Sequence, residues 1–255
     1  MIDDNLDGTP SPLVIGSFAD WHAAASRRSF LRLMGLGGAI AMLPGFVAAC
    51  DSDETTAPTD GLAGSGEALI IDFSQGDVAI LQYALVLEQV EADFYSRVVS
   101  AFGTSNITTA EQAILTEIRN HELAHREFLR GTLGADGAFT VTATFRGVGF
   151  TDRAAVLAAA RTLEDLGIAA YNGAVQYLTT PANVLALAKI VSVEARHAAT
   201  IRDLLEPRAG SFAPAATDDV FRPAKVAATV QANLVDKLGF SNAPAEFTQG
   251  PNGGG

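Results

Sequence analysis

The sequence predicts an all-α protein whose centre is a four-helix bundle with one long crossover between the second and third helices. Four segments between residues 76 and 206 carry apolar side chains three and four positions apart, which is the spacing of one helix face. Helix-capping residues, glycines and prolines separate these segments. Two of the connections are short and one is long, a connectivity known among four-helix bundles.

Residues 1–49 have the pattern of a cleavable export signal. Arg27 and Arg28 precede an apolar run, residues 33–49, that is short and glycine-broken for a transmembrane helix. Paired arginines before such a run resemble a twin-arginine signal. The run ends in Val-Ala-Ala-Cys at Cys50, which resembles the lipobox of a bacterial lipoprotein. The alternative is an uncleaved transmembrane anchor with a chance cysteine, which would leave the small residues before Cys50 without a role.

Cys50 is the only cysteine in the chain, so no disulfide can form within it. We expect Cys50 to carry lipid after cleavage and to anchor the protein to a membrane. Residues 50–75 are rich in Asp, Ser, Thr, Pro and Gly and predict a flexible tether. The expected location is therefore the cell envelope, as a periplasmic or membrane-anchored lipoprotein.

Capping residues set the expected bounds of the four helices in the bundle, residues 76–206. Thr and Asp caps precede the second and third helices, and a proline opens the fourth in the favoured first turn. Glycine or proline follows three of the helices. The predicted helices cover about residues 76–102, 108–134, 152–178 and 181–206.

Two segments outside these helices also have a recognisable pattern. In the crossover, residues 135–151, apolar side chains alternate with threonines, which predicts extended chain. The C-terminal tail, residues 207–255, predicts one short helix from Pro223 to Leu238 and ends in Gly, Pro and Asn. Three aromatic side chains are expected to pin the tail to the bundle: Phe212, Phe221 and Phe240.

The overall charge excludes one class of partner. The formal net charge is −12, and no cluster of Lys or Arg follows the leader. A nucleic-acid partner needs a basic face, so we expect none.

Four glutamates occupy inward positions of the four helices. A carboxylate in an apolar stripe is costly unless it is paired or bound to a metal. On the second and fourth helices a histidine follows the glutamate three residues later, which places both side chains on one face. The glutamates and histidines in question are Glu88, Glu122, His125, Glu164, Glu194 and His197.

The order Glu, Glu-x-x-His, Glu, Glu-x-x-His, with one element per helix, is the ligand layout of ferritin-like di-iron and di-manganese carboxylate proteins. Residues 76–206 resemble the ferritin-like superfamily, most closely the branch that includes plant desiccation-related proteins. The resemblance implies a centre of two transition-metal ions, iron or manganese, bridged by Glu122 and Glu194. The other four residues would each bind one ion: Glu88, His125, Glu164 and His197.

An internal repeat and the charge balance support this interpretation. Tyr95 lies seven residues after Glu88, and Tyr171 lies seven after Glu164. These tyrosines either hydrogen-bond the ligand carboxylates or are core aromatics. Four carboxylates balance two divalent ions, whereas an empty site would take up protons. The alternative, glutamates scattered over helix surfaces, does not explain two Glu-x-x-His motifs that are each preceded by an inward glutamate.

Glu91 and His121 are weaker candidates. Glu91 lies one turn after Glu88. It is an extra ligand, a group that supports a ligand, or a solvated or inter-helix residue. The solvated or inter-helix position fits best. His121 precedes Glu122 and is expected to support a ligand or to pack. We expect substitutions of either residue to matter less than those of the six ligands.

Missing residue types exclude two relatives of this site. Rubrerythrins, which resemble it, receive electrons through a cysteine-ligated iron, and no cysteine other than Cys50 is present. Bacterioferritins bind haem through methionine, but every methionine lies in the leader, so we expect no haem: Met1, Met34 and Met42. A lipid tether on each subunit fits a closed ferritin cage poorly, but it is compatible with a smaller homo-oligomer.

Two functions are compatible with the sequence. One is an oxidoreductase whose two-metal centre reacts with dioxygen or peroxide. The other is a protective protein that sequesters iron or manganese with little turnover, for example under desiccation or oxidative stress. Carboxylate and imidazole ligands suit both metals, so the ligand set does not choose between them.

Overall fold

The structure is a computed structural model that describes residues 68–245 and Thr248. The predicted leader, Cys50 and the first part of the predicted tether lie outside the described residues. Within the described part of the chain, no helix combines the length and apolar character needed to cross a membrane.

Four long helices form the bundle. The first helix packs mainly against the second, and the third mainly against the fourth, with the long crossover between the two pairs. This confirms the predicted all-α four-helix bundle. The helices are α1 Asp77–Ser100, α2 Thr109–Gly137, α3 Arg153–Ala174 and α4 Pro181–Leu205.

The predicted caps fix the ends of the helices. Thr108 Oγ1 accepts a hydrogen bond from the Glu111 backbone N–H at 3.4 Å, and the Thr108 N–H donates to the Glu111 carboxylate at 3.0 Å. This reciprocal pair is a capping box. At the other end of α2, Gly134 has a φ of +68°, which interrupts the helix near the predicted stop, and one more turn follows to Gly137.

The carboxylate of Asp77, at the start of α1, accepts hydrogen bonds from residues at the start of α4. Its carboxylate accepts from the backbone N–H groups of Thr179 and Thr180 at 2.8 and 3.0 Å and from the side chain of Asn183 at 2.9 Å. Because α4 begins at Pro181, Asp77 satisfies donors that would otherwise be orphaned at its N-terminus. It thereby joins the two helix pairs at one end of the bundle.

A short two-stranded sheet lies outside the bundle. Strand β1, Leu69–Asp72, pairs in parallel with β2, Leu238–Ser241. Ile71 in β1 has no exposed surface, so this segment belongs to the folded domain. Its position corrects the sequence prediction, which assigned all of residues 50–75 to a flexible tether.

The tail packs against the bundle over a shorter helix than predicted. Helix α5 covers Pro223–Val230, because the chain then tightens into a 3-10 turn, Gln231–Asn233, and is extended at Leu234. The Phe221 N–H donates to the carbonyl oxygen of Ala169 in α3 at 2.9 Å, and the Phe240 ring packs edge-on against Phe73 at 5.4 Å. The expected anchoring role of Phe212 is wrong, since this side chain is 58% exposed.

Helix α1 is buried on nearly every side. On the crossover side, Gln89 accepts a hydrogen bond from the Val141 N–H at 3.1 Å, and the Phe145 ring packs against Phe94 at 5.3 Å. Nearer its start, the tail covers α1 through Phe240, whose ring lies 5.6 Å from that of Tyr83. A polar residue of α1 can therefore be buried without facing the interior of the bundle.

Candidate metal centre

The six predicted ligands come together in the middle of the bundle. Each long helix contributes: α1 and α3 one glutamate each, and α2 and α4 a glutamate and a histidine each. All six side chains are buried, and the four glutamates have no exposed surface. The residues are Glu88, Glu122, His125, Glu164, Glu194 and His197.

The donor atoms form two adjoining groups among the described residues. One contains Glu88 and His125, and the other contains Glu164 and His197. Glu122 and Glu194 belong to both groups. Within each group, one donor atom from every residue lies within 4.8 Å of the others, so each could hold a metal ion. The sharing of two carboxylates matches the arrangement that the resemblance implies.

Each histidine faces the glutamate of the opposite Glu-x-x-His motif. The Nδ1 atom of His125 lies 2.8 Å from Glu194 Oε1 and 3.4 Å from Glu88 Oε2. The Nδ1 atom of His197 lies 2.8 Å from Glu122 Oε1 and 3.6 Å from Glu164 Oε2. The contacts therefore repeat around the centre with an approximate twofold pattern.

These close contacts leave most of the donor atoms without an aligned hydrogen bond. The His125 Nδ1 atom, for example, is near three carboxylates but makes an aligned hydrogen bond with none of them. Donors that converge without satisfying one another suit a cation placed between them. Within the six residues of the cluster, the buried atoms that have no hydrogen-bond partner among the described residues are Glu88 Oε2, both carboxylate oxygens of Glu122, His125 Nδ1, Glu164 Oε2 and Glu194 Oε1.

The two tyrosines of the repeat hold the solitary glutamates crosswise. The Tyr95 hydroxyl on α1 donates to Glu164 Oε1 on α3 at 2.5 Å. The Tyr171 hydroxyl on α3 donates to Glu88 Oε1 on α1. Of the two roles that the sequence leaves open, the structure shows the hydrogen bond to the carboxylates. Each bond fixes one carboxylate oxygen, and the other oxygen points into the cluster.

His121 contacts one of the histidines from behind. Its Nδ1 atom lies 2.9 Å from His197 Nε2, and the two rings stack with an interplanar angle of 8°. Because Nε2 of His197 is occupied by this contact, its Nδ1 atom is the one that faces the carboxylates. This is the supporting role expected for His121.

Of the preferred interpretation of Glu91, a solvated or inter-helix residue, the solvated alternative is wrong. Its side chain is only 2% exposed, and its carboxylate lies between helices, beside Gly167 of α3. Burial, together with the charges of Glu194 and the other cluster carboxylates, raises its pKa well above the usual value. A methyl group in place of the Gly167 hydrogen would lie 3.0 Å from Glu91 Oε1, so Gly167 provides room for this carboxylate. The sequence carries a signal for this feature, because Glu91 follows Glu88 at the same offset at which Gly167 follows Glu164.

Burial and pairing shift the pKa values of the cluster glutamates in opposite directions. Burial raises the pKa of Glu88 and of Glu164 to about 8. Burial acts in the same direction on Glu194, but its contacts with the two histidines lower its pKa overall. Burial would lower the pKa of His125, yet the surrounding carboxylates raise it well above the usual value. A metal-free cluster therefore holds protons that an entering cation must displace.

The comparisons with known proteins agree with this geometry. A search of curated proteins finds no match to the chain. The family model described as a ferritin-like domain matches residues 76–207, which contain α1 to α4 and all six residues of the cluster. The match spans just over half of the 255 residues, and the chain therefore belongs to the ferritin-like domain family.

Proposed function

We propose that this protein binds two transition-metal ions, iron or manganese, in the buried cluster and uses them in redox chemistry with dioxygen or a peroxide. The observation that carries the proposal is the pair of adjoining donor groups that share Glu122 and Glu194. A single-metal site needs no such sharing. Once the protons have left, four carboxylates carry −4, which two divalent ions would neutralise.

The residues have distinct roles in this proposal. Glu122 and Glu194 reach both positions and would bridge the ions, whereas Glu88 with His125 and Glu164 with His197 would each bind one. When bound, the ions would supply one-electron steps that the side chains of this chain do not provide. The tyrosine hydroxyls hold the solitary glutamates in place.

Burial limits what can react at this centre. Because the four glutamates have no exposed surface, water is largely excluded and a bulky reactant would require the helices to separate. Dioxygen and hydrogen peroxide are small enough to enter between packed helices through ordinary side-chain motion. We therefore propose a small oxidant as the reactant.

The same burial supports a second function, retention of metal with little turnover. A fully enclosed site exchanges its ions slowly, which suits sequestration. Repeated additions of Fe²⁺ to the metal-free protein in the presence of oxygen separate the two functions. An oxidoreductase continues to consume oxygen after the site is filled, whereas a sequestering protein stops after one stoichiometric oxidation.

The number of bound ions tests the centre itself. We expect wild type reconstituted with Fe²⁺ or Mn²⁺ to hold two ions per chain. Glu122→Ala or Glu194→Ala should disturb both ions, whereas His125→Ala or His197→Ala should weaken mainly one. Elemental analysis per chain is the measurement. Wild type that binds no metal, or bridging variants that bind as wild type does, would disprove the centre.

A matched control uses a glutamate on the same helix. Glu127 lies on the exposed side of α2, where its carboxylate pairs with Arg126, so Glu127→Ala removes a carboxylate without touching the cluster and should leave both ions in place. Loss of metal in this variant would show that the ligand variants act through general damage to α2.

We also propose that the protein is exported and anchored by lipid at Cys50, on the basis of the sequence pattern around Arg27, Arg28 and Cys50. Replacing both arginines with lysine should leave an unprocessed precursor in the cytoplasm. Cys50→Ser should prevent acylation. The intact mass of the protein in the membrane fraction is the measurement, and a mature chain without acyl groups would contradict the proposal.

A further inference from the structure

A cavity of about 280 Å³ lies where the crossover passes beside α1 and α2. None of the six cluster residues lines it, so it is separate from the candidate metal centre. Each of the three segments contributes polar groups to its wall. The charged residues of the lining are Asp93 and Arg97 of α1 and Arg126 and Arg130 of α2, and the crossover adds Thr140 and Thr142.

This cavity is positively charged, although the chain as a whole is negatively charged. Its lining contains three arginines and one aspartate, which leaves a formal charge of +2, whereas the whole chain carries −12. Two further carboxylates lie close by but do not line the cavity. Glu127 pairs with Arg126 at 2.6 Å, and Asp236 accepts a hydrogen bond from the Thr142 N–H at 2.6 Å. Because arginine stays protonated, the cavity attracts anions.

Contacts with the crossover hold two of the guanidinium groups in place. Arg97 Nη2 donates to the Ala143 carbonyl oxygen at 3.1 Å, and its guanidinium lies 5.2 Å from the centre of the Phe145 ring. Arg130 Nη1 donates to Thr140 Oγ1 at 3.2 Å. These partners are neutral, so they orient the arginines without cancelling their charge. Groups that are already oriented lose less conformational entropy when they bind a ligand.

Each guanidinium also keeps at least one nitrogen without a partner in the described part of the chain. Arg97 and Arg126 use only Nε and Nη2, in pairs with Asp93 and Glu127, apart from the bond of Arg97 to the crossover. Arg130 uses only Nη1 and forms no ion pair within the described residues. Partly exposed ion pairs contribute little to stability, so they do not prevent an arginine from binding another anion.

We propose that this cavity binds a small oxyanion with two negative charges, of the phosphate or dicarboxylate class. A guanidinium group donates two parallel hydrogen bonds to the paired oxygens of either class. Two negative charges would balance the +2 of the lining. The volume lies just below the range of about 300–1,000 Å³ that is usual for small-molecule sites, which favours a small ion over a cofactor. The inference does not depend on the proposed two-metal centre.

Isothermal titration calorimetry of the full-length protein tests this proposal, with inorganic phosphate in one experiment and succinate in another. Mildly alkaline buffer gives both anions close to two negative charges, and the buffer contains no other multivalent anion. Wild type should bind one anion per chain. Arg130→Gln removes the guanidinium that forms no ion pair and should weaken binding at least 10-fold, because charge-assisted hydrogen bonds are the stronger ones. Arg126→Gln should weaken binding in the same way.

Arg119 provides a matched control. It lies on α2, hydrogen-bonds Asn120 and does not line the cavity, so Arg119→Gln should bind the anion as wild type does. Thermal denaturation of each variant without ligand detects a loss of folding, and Arg126→Gln decides the test if Arg130→Gln does not fold. Because a bound anion stabilises the folded protein, the melting temperature of wild type should rise with anion concentration, and that of Arg130→Gln should rise less.

The two titrations identify the ligand class as well as the site. With one of the arginine variants weakened and the control unchanged, the anion that binds more tightly shows whether the cavity suits phosphate or dicarboxylates. Wild type that binds neither anion overturns the proposal and leaves the metal centre in place. Equal affinities of wild type and folded Arg130→Gln also overturn it. So does an equal weakening in Arg119→Gln, which would show that anions bind to the protein surface in general.

Discussion

The hydroxyls of Tyr95 and Tyr171 can be removed with little change in shape. Each hydroxyl donates to a glutamate that has no exposed surface, so water cannot replace the bond without opening the bundle. A hydrogen bond to a charged group contributes about 1.5–3 kcal/mol, and about 1 kcal/mol when both groups are neutral. We expect Tyr95→Phe or Tyr171→Phe to lower the free energy of unfolding of the metal-free protein by about 1–3 kcal/mol.

Tyr83, which lies on α1 like Tyr95, provides a matched control. It is also buried, at 2% exposure, but its hydroxyl has no hydrogen-bond partner among the described residues. Tyr83→Phe removes an unsatisfied polar atom, so it should leave the stability unchanged or increase it. The comparison isolates the hydrogen bond, because the three substitutions remove the same oxygen atom from equally buried rings.

Urea denaturation followed by circular dichroism measures the difference. With a slope of about 2 kcal/mol per molar urea, a loss of about 1–3 kcal/mol lowers the midpoint by about 0.5–1.5 M. Tyr95→Phe and Tyr171→Phe should also bind Mn²⁺ roughly 10- to 100-fold more weakly, because a glutamate that has lost its tyrosine hydrogen bond is less well oriented. Equal midpoints for all three variants, or the largest loss in Tyr83→Phe, would refute the reasoning.

Two further predictions concern the contacts that hold the domain together. Gly173→Ala should destabilise the protein by about 1–3 kcal/mol, since the added Cβ would lie 2.0 Å from the Phe221 carbonyl oxygen and push the tail from α3. Gly131→Ala, where the added Cβ meets nothing within 4 Å, should instead stabilise it by about 0.5–1 kcal/mol in the same urea experiment. Asp77→Ala should cost about 1–2 kcal/mol at neutral pH. Because hydrogen bonds lower the pKa of Asp77 in the folded state, its contribution is present above the unfolded pKa near 3.8 and is lost as the pH falls below it. The melting temperatures of wild type and Asp77→Ala should therefore converge in acid. A constant difference between them down to low pH would contradict the role assigned to Asp77.

The convergence of the six Glu and His side chains in one cluster was predictable because it depends on local geometry. Spacing of three or four residues along a helix fixes which side chains share a face, and a carboxylate on an apolar face signals its own role. The Thr108 cap and the Gly134 stop are read from the sequence for the same reason. These features need no knowledge of how the helices pack.

Other features depend on contacts between distant segments and could not be predicted in the same way. Strand β1 is short, and its partner β2 lies near the other end of the chain, so neither strand has a strong local signal. Glu91 fits the polar side of an amphipathic helix until α3 is placed beside α1 at Gly167. Phe212 shows the converse, since an aromatic side chain in a tail need not reach the core.

The two donor groups contain the same kinds of residue but differ in a contact outside the repeated motifs. Each group has one solitary glutamate, one histidine and the shared pair Glu122 and Glu194, so the motifs alone would give two proposed ions equal affinities. His121 contacts His197, which belongs to the group that contains Glu164. In the proposed two-ion centre this contact would make the two affinities unequal, and its removal should make them alike. We expect wild type to bind two Mn²⁺ ions in two steps and His121→Ala to bind them in a single step, and two separate steps in His121→Ala would show that the asymmetry has another origin.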